Sequence, residues 1–281
     1  MNKATLIALT VTLIFCGQGL SQTGTKKRRP LPYEYGRVVI NNSSEKADLP
    51  AVVFQHWIHR SKFTCRVCHV DIGFAMKAGA PGITAAANAQ GYYCGSCHNG
   101  VMAVKGKKVF ASCPKPEEPG AASRPALTVR RSAAEQMRCE RCHSLGQDVP
   151  SDYDFFAFSG PLPKARFGNG IDWEQSEELG IINPASVLDG VSIPRKSLPV
   201  QKDFDLGPKV EGMPDIIFSH RKHTVWNGCE VCHPEIFAPT RGKTRFSMAE
   251  IAEGKFCGAC HTAVAFPLTD CQRCHSKPVG S

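Results

Sequence analysis

After residue 15 the sequence has no apolar run approaching the roughly 20 residues a helix needs to cross a bilayer. A protein that threads the membrane several times by helices is thereby excluded. Between residues 149 and 214 there is neither cysteine nor histidine, so thiol chemistry and imidazole ligation are confined to the stretches on either side. The one apolar run, from Ala4 to Phe15, follows Lys3 and precedes small Gly19 and Ser21. It reads as a secretory signal over residues 1–21, cleaved after Ser21. An uncleaved anchor would leave Lys26, Lys27, Arg28 and Arg29 on the non-cytoplasmic side, against the usual charge bias. Cys16 would suit a lipoprotein, but bulky Phe15 stands where such sites take a small residue. The expectation is a soluble periplasmic protein, with extracellular release also open.

Fourteen cysteines in an exported chain would ordinarily mean disulfides. Their spacing says otherwise. Twelve of them form six copies of C-x-x-C-H: Cys65, Cys68 and His69; Cys94, Cys97 and His98; Cys139, Cys142 and His143; Cys229, Cys232 and His233; Cys257, Cys260 and His261; Cys271, Cys274 and His275. Two thiols at this spacing form thioethers to the vinyl groups of one haem, and the next histidine is the proximal iron ligand. C-x-x-C alone also serves zinc and dithiol redox centres, but neither requires a histidine after every pair. The pattern predicts six covalently attached haem c groups. Cys113 stands outside it, and a free thiol, an intermolecular disulfide and an inert buried cysteine are all compatible with the sequence.

The four histidines left over lie in two phrases that align without a gap, VVFQHWIHRSKFTCRVCH and IIFSHRKHTVWNGCEVCH. Phe54 matches Phe218, His56 matches His220 and His59 matches His223. Repetition in register beside haem motifs marks all four as candidate distal ligands. A second pair of phrases, ITAAANAQGYYCGSCH and FSMAEIAEGKFCGACH, also aligns without a gap. Each reads as a short helix capped by Thr84 or Ser247 and stopped by Gly91 or Gly254. The chain therefore holds an internal repeat of about three haems per copy.

On these residues the sequence resembles the triheme cytochrome c7 family, a shortened relative of tetrahaem cytochrome c3. The likeness is fullest in the second copy: F-x-H-x-x-H, then three C-x-x-C-H motifs, the middle one written G-x-x-C-G-x-C-H. The resemblance implies small haem-dominated modules of loops and short α-helices with little regular secondary structure. It also implies that the first histidine of each H-x-x-H pair serves the first haem and the second histidine the second haem. His56 would then pair with His69, His59 with His98, His220 with His233 and His223 with His261. The third haem of such modules takes a histidine or methionine from just before the middle motif, which here is Met248. Ala85 stands in that place in the first copy, so the His143 haem lacks an evident partner; Met76 is preferred over Met137, and a five-coordinate iron or a ligand from elsewhere in the chain are the other options.

The expected organisation is a signal peptide at 1–21, an N-terminal arm at 22–51, a first module at 52–148 with an insertion at 99–138, a haem-free connector at 149–214 and a second module at 215–281. The connector is expected to be ordered and to pack across the modules, because DYDFFAFSG brings Tyr153, Phe155, Phe156 and Phe158 and NGIDWEQSEELG reads as a helix capped by Asp172 and stopped at Gly180. Modules this small bury little apolar surface without their haems.

Closely spaced haems in one chain point to an electron carrier between respiratory redox proteins rather than an enzyme. The alternatives are a multihaem reductase with an open iron at the His143 haem, or a haem subunit of a larger respiratory complex or extracellular filament. No C-x-x-C-K variant occurs and every histidine has a haem to serve, which weighs against the reductase. The formal charge of +9 would be offset by haem propionates, so it does not call for nucleic acid; peripheral membrane or complex association stays open.

Overall fold

The computed structural model describes residues 29–45, 49–79, 82–112, 139–143, 154–196, 198–207 and 210–277. The expected signal, Cys16, Cys113, Met137 and Tyr153 lie outside them. Leu31–Ser281 form one compact unit; of the other, Met1–Pro30, only the last two residues are described. Among the described residues no helix is long and apolar enough to cross a membrane.

The elements are short, as expected of haem-dominated modules. In chain order they are β1 (Arg37–Ile40), β2 (Val52–Gln55), α1 (His56–Arg60), α2 (Ala85–Ala89), β3 (Ala103–Val104), β4 (Lys107–Lys108), α3 (Phe155–Ser159), α4 (Trp173–Glu178), β5 (Phe204–Leu206), β6 (Asp215–Phe218), α5 (His220–Asn227), α6 (Met248–Ala252), α7 (Gly258–His261), α8 (Cys271–Cys274) and β7 (His275–Lys277). Their ends follow the capping chemistry of the sequence. Thr84, Asp172 and Ser247 each accept the amide hydrogen three residues on, and Gly91 and Gly254 leave the helix with φ of 89° and 87°.

The duplication is deeper than the two aligned phrases. In the first copy β1 pairs antiparallel with β2, Val38 opposite Phe54; in the second, β5 pairs with β6, Phe204 opposite Phe218. Each H-x-x-H helix thus grows from the end of a two-stranded ribbon whose outer strand comes from the expected arm or connector. Three- and four-residue strands are too short to show an alternation in sequence, and they form because the inner strand needs a partner for its backbone groups.

The connector supplies five of the six buried residues of the main apolar cluster. Phe155, Leu162, Ile171, Trp173 and Ile182 cluster with Trp57 of α1, and Tyr33, Ile58, Phe158 and Trp226 pack around them. Trp57 meets Phe155 edge-on with ring centroids 5.3 Å apart. Trp57 belongs to the first H-x-x-H helix and Trp226 to the second, so this cluster touches both haem-bearing halves.

Polar contacts follow the same plan. Backbone bonds join Thr64 and Lys62 to Ala185. Arg195 reaches Asp71 at 2.5 Å and Glu230 at 2.7 Å, one residue from each half, and the Asp71 side chain is fully buried. On the other side α4 presents Glu174 and Glu178 to Lys222 and Arg221 of α5, exposed pairs that add little stability.

Candidate haem sites

Each motif is wound so that its histidine follows its cysteines closely. The amide hydrogens of His98, His143, His233, His261 and His275 all return to the carbonyl of the first cysteine of their own motif, one helical turn that brings two thiols and an imidazole to a common edge. None of the twelve motif cysteines is tied up in a disulfide, which leaves both sulfurs of each pair for a haem.

All ten histidines share one feature that sequence reading did not reveal. Every Nδ1 lies within hydrogen-bond distance of a backbone carbonyl: His56 on Gly36, His59 on Gln55, His69 on Phe74, His98 on Phe110 and His143 on Pro50. In the second copy the acceptors are Lys202 for His220, Ser219 for His223, Phe237 for His233, Phe266 for His261 and Pro214 for His275. A carbonyl only accepts, so Nδ1 carries the hydrogen and Nε2 carries the lone pair. That is the tautomer of a metal-ligating imidazole, with the outer hydrogen bond fixing its orientation. Burial keeps His56 and His59 neutral as well, holding both down at about 4 against the weaker opposing pull of their carbonyl bonds.

The histidines also meet in pairs. His56 and His69 lie 6.5 Å apart between ring centroids and 10° from parallel. His59 and His98 are 6.3 Å apart, and His223 and His261 are 6.3 Å apart. A metal–imidazole bond of about 2 Å on each side, with about 1.1 Å from each nitrogen to its ring centre, sets two rings across one metal about 6.2 Å apart. The spacing is too wide for ring stacking and fits an iron held between. His220 packs between Phe204 and Phe218, with centroids 5.3 and 5.1 Å away, and His233 donates from Nδ1 to the Phe237 carbonyl at 2.7 Å. Phe54 and Phe218 do matching work, stacking on His59 at 4.3 Å and on His223 at 4.4 Å.

The third motifs dock on the strands that launch the histidine helices. Val52 bridges His143, and Ile216 pairs with His275. Pro50 and Pro214, whose carbonyls hold these two rings, occupy the same place in the two copies, four residues ahead of Phe54 and Phe218. LPAVVF and MPDIIF carried that signal one step upstream of the aligned phrases.

The middle motifs explain their glycine. A Cβ on Gly95 would lie 1.8 Å from the Asn88 carbonyl oxygen, and on Gly258 1.9 Å from that of Ile251. Only hydrogen lets the motif sit this close to the preceding helix.

The sites open on a cavity of about 1960 Å³, about twice the upper range for a single small-molecule pocket. Its wall includes His56, His59, His69, His98, His223, His261 and His275. Met248 stands on it with Cys271, Cys274 and His275, and Met76 with Cys142. Met248 is 54 % exposed, so it is not a packing methionine of the core. Sequence reading missed Arg60, which lines the same cavity between the two copies.

The sequence model described as cytochrome c7 and related cytochrome c matches residues 52–144 and 216–276. Among solved structures, a c7-type three-heme cytochrome domain is 39 % identical over 28 % of this chain and 99 % of its own, with a TM-score of 0.25. The C-terminal hexaheme fragment of GSU1996 is 22 % identical over 88 % of this chain and 98 % of its own (TM-score 0.24). The N-terminal hexaheme fragment is 21 % identical over 85 % and 98 % (TM-score 0.24). Comparison with curated proteins finds no match. The two matched stretches take in more than half of the chain and all six C-x-x-C-H motifs, and the chain belongs to the cytochrome c7 family of multihaem c-type electron carriers.

Proposed function

We propose that this protein is a hexahaem cytochrome that passes electrons between redox partner proteins outside the cytoplasm. The observation that carries this reading is the spacing of the imidazole pairs His56–His69, His59–His98 and His223–His261, with Nδ1 tied back and Nε2 left for iron. The cysteine pairs hold the macrocycles, and His220 serves opposite His233. Met248 serves the His275 haem, and Met76 is assigned to the His143 haem. Haem iron supplies one-electron exchange. The protein supplies rigid neutral ligands, an apolar surround and a fixed spacing between sites. Six such sites in one compact unit suit a relay, and the secretory signal read at residues 1–21 supports a periplasmic location.

Two measurements on the exported holoprotein test this. Intact mass should show the chain beginning at Gln22 with six haems attached. The optical spectrum of the fully reduced protein should be unchanged by carbon monoxide, because every iron has two protein ligands. A carbon monoxide shift amounting to one haem, lost when Cys139 and Cys142 are replaced, would open the His143 iron and move a reductase to the front.

A further inference from the structure

Arg60 is out of step with the duplication. Its counterpart in the second copy is Thr224, so the histidine pattern alone does not explain it. The side chain runs from the end of α1 across to the second copy, where Nη1 donates to the Val264 carbonyl at 3.0 Å. Its guanidinium lies 4.3 Å from the Trp173 ring centre and 5.1 Å from that of Trp226, one ring from the connector and one from α5. Nε is buried and has no hydrogen-bond partner, and among the described residues no carboxylate pairs with Arg60. A guanidinium clamped between indoles on an apolar wall, with no described carboxylate of this chain beside it, costs the protein fold stability. Cation–π contact offsets only part of that cost.

The surroundings of Arg60 say what the charge faces. Cysteines of all six motifs line this cavity, but the thiols that interact electrostatically with Arg60 are Cys65 of the first copy and Cys260 of the second, and the imidazoles it acts on include His56, the expected partner of His69, and His261. Val264, whose carbonyl it holds, returns its own amide hydrogen to Cys260 at 2.9 Å. The next carbonyl, Ala265, accepts from Tyr35 Oη at 2.6 Å, and the one after, Phe266, fixes the His261 ring. Two residues from the first copy thus hold the loop that aims a histidine of the second.

We infer that Arg60 sets the reduction potential at the junction of the two copies, as a fixed positive charge that raises the potentials of the haem sites at His69 and His261. Reduction removes one positive charge from an iron site, so a nearby cation in a low-dielectric wall favours the reduced form at both. The role rests on the hexahaem reading proposed above and needs no bond to form or break.

The test is a redox titration of the holoprotein with Arg60→Gln and Arg60→Lys, preceded by intact mass to count haems. With six haems present, R60Q should move two of the six one-electron components to lower potential and leave the other four, and R60K should restore them. Six haems with unmoved potentials in R60Q would overturn the inference while leaving the function intact. A shift in R60K as large as in R60Q would also overturn it, since the effect would then come from packing. A wild-type count other than six would instead sink the hexahaem reading. If R60Q does not fold, Trp226→Leu keeps the charge but opens it to water: the same two components should fall by a smaller margin, and no fall would overturn the inference.

Discussion

The carbonyl of Pro50 accepts the Nδ1 hydrogen of His143 at 2.7 Å, across 93 residues of chain. Pro214 and His275 repeat the contact at 2.9 Å across 61. The first copy separates its second and third motifs by 40 residues and the second by nine, yet both third motifs return to the same strand at the same register. The docking site, and not the length of the loop, positions the third haem site.

The middle-motif glycines are the sharpest steric test. Gly95→Ala and Gly258→Ala each force a methyl group onto a backbone carbonyl less than 2 Å away. Overpacking of this kind costs about 3 kcal/mol or more when the opposing group is backbone. Each variant should lose stability in thermal unfolding and yield a fraction of chains one haem short by intact mass.

Breaking the Arg195 link should loosen the two halves without touching a haem ligand. Arg195→Met removes the 2.5 Å partner of the buried Asp71 carboxylate and leaves it the Ser192 hydroxyl and Arg66 at 4.0 Å, at a cost of about 1–3 kcal/mol. Asp71→Asn with Arg195→Met should recover much of the loss. Thermal melts of the single and double variants decide the matter, and equal melts for R195M and wild type would refute it.

Tyr35 gives the alkaline limit. Burial lifts its hydroxyl to about 12 from an ordinary 10, against a smaller lowering by Arg60. The folded state therefore holds the proton more tightly than the unfolded chain. Its contribution is complete below pH 10 and drains away as pH rises from 10 to about 12. Tyr35→Phe should flatten that part of the stability curve in denaturant titrations.

Met248→His exchanges a thioether for an imidazole at the cavity wall. One potential of the set should fall, since histidine opposite histidine holds a haem lower than methionine does. An unaltered redox titration would remove Met248 from the ligand set.

Apoprotein made without haem attachment should be unfolded by circular dichroism. Only Ala51, Val53, Trp57, Val67, Phe155, Leu162, Ile171, Trp173, Ile182, Leu188, Val231 and Ile251 are buried apolar residues among those described, too few to stabilise a chain this long. A cooperative helical apoprotein would contradict this.

What could be read in the sequence was chemistry with a fixed local spacing. The cysteine pairs, their histidines, the H-x-x-H phrases and the caps at Thr84, Asp172 and Ser247 each announce themselves within a few residues. Contacts made through main-chain atoms stayed hidden, because a carbonyl has no letter of its own. The acceptors Gly36, Lys202, Pro50 and Pro214 are chosen by strand register, and β1 and β5 are too short to show a pattern. Arg60 was passed over for a related reason: one arginine after a histidine is unremarked until two indoles from distant segments close on it.

The enclosure of the thiols constrains how the protein is made. Cys65, Cys68, Cys257 and Cys260 face a cavity walled jointly by both halves and by Phe155, Ile171 and Trp173 of the connector. Haem attached before residues 154–196 pack against both halves would meet an open wall, and the expected order of biogenesis is attachment first and closure of these residues second. Partly loaded chains should be cut by protease within residues 154–196, where the mature form resists.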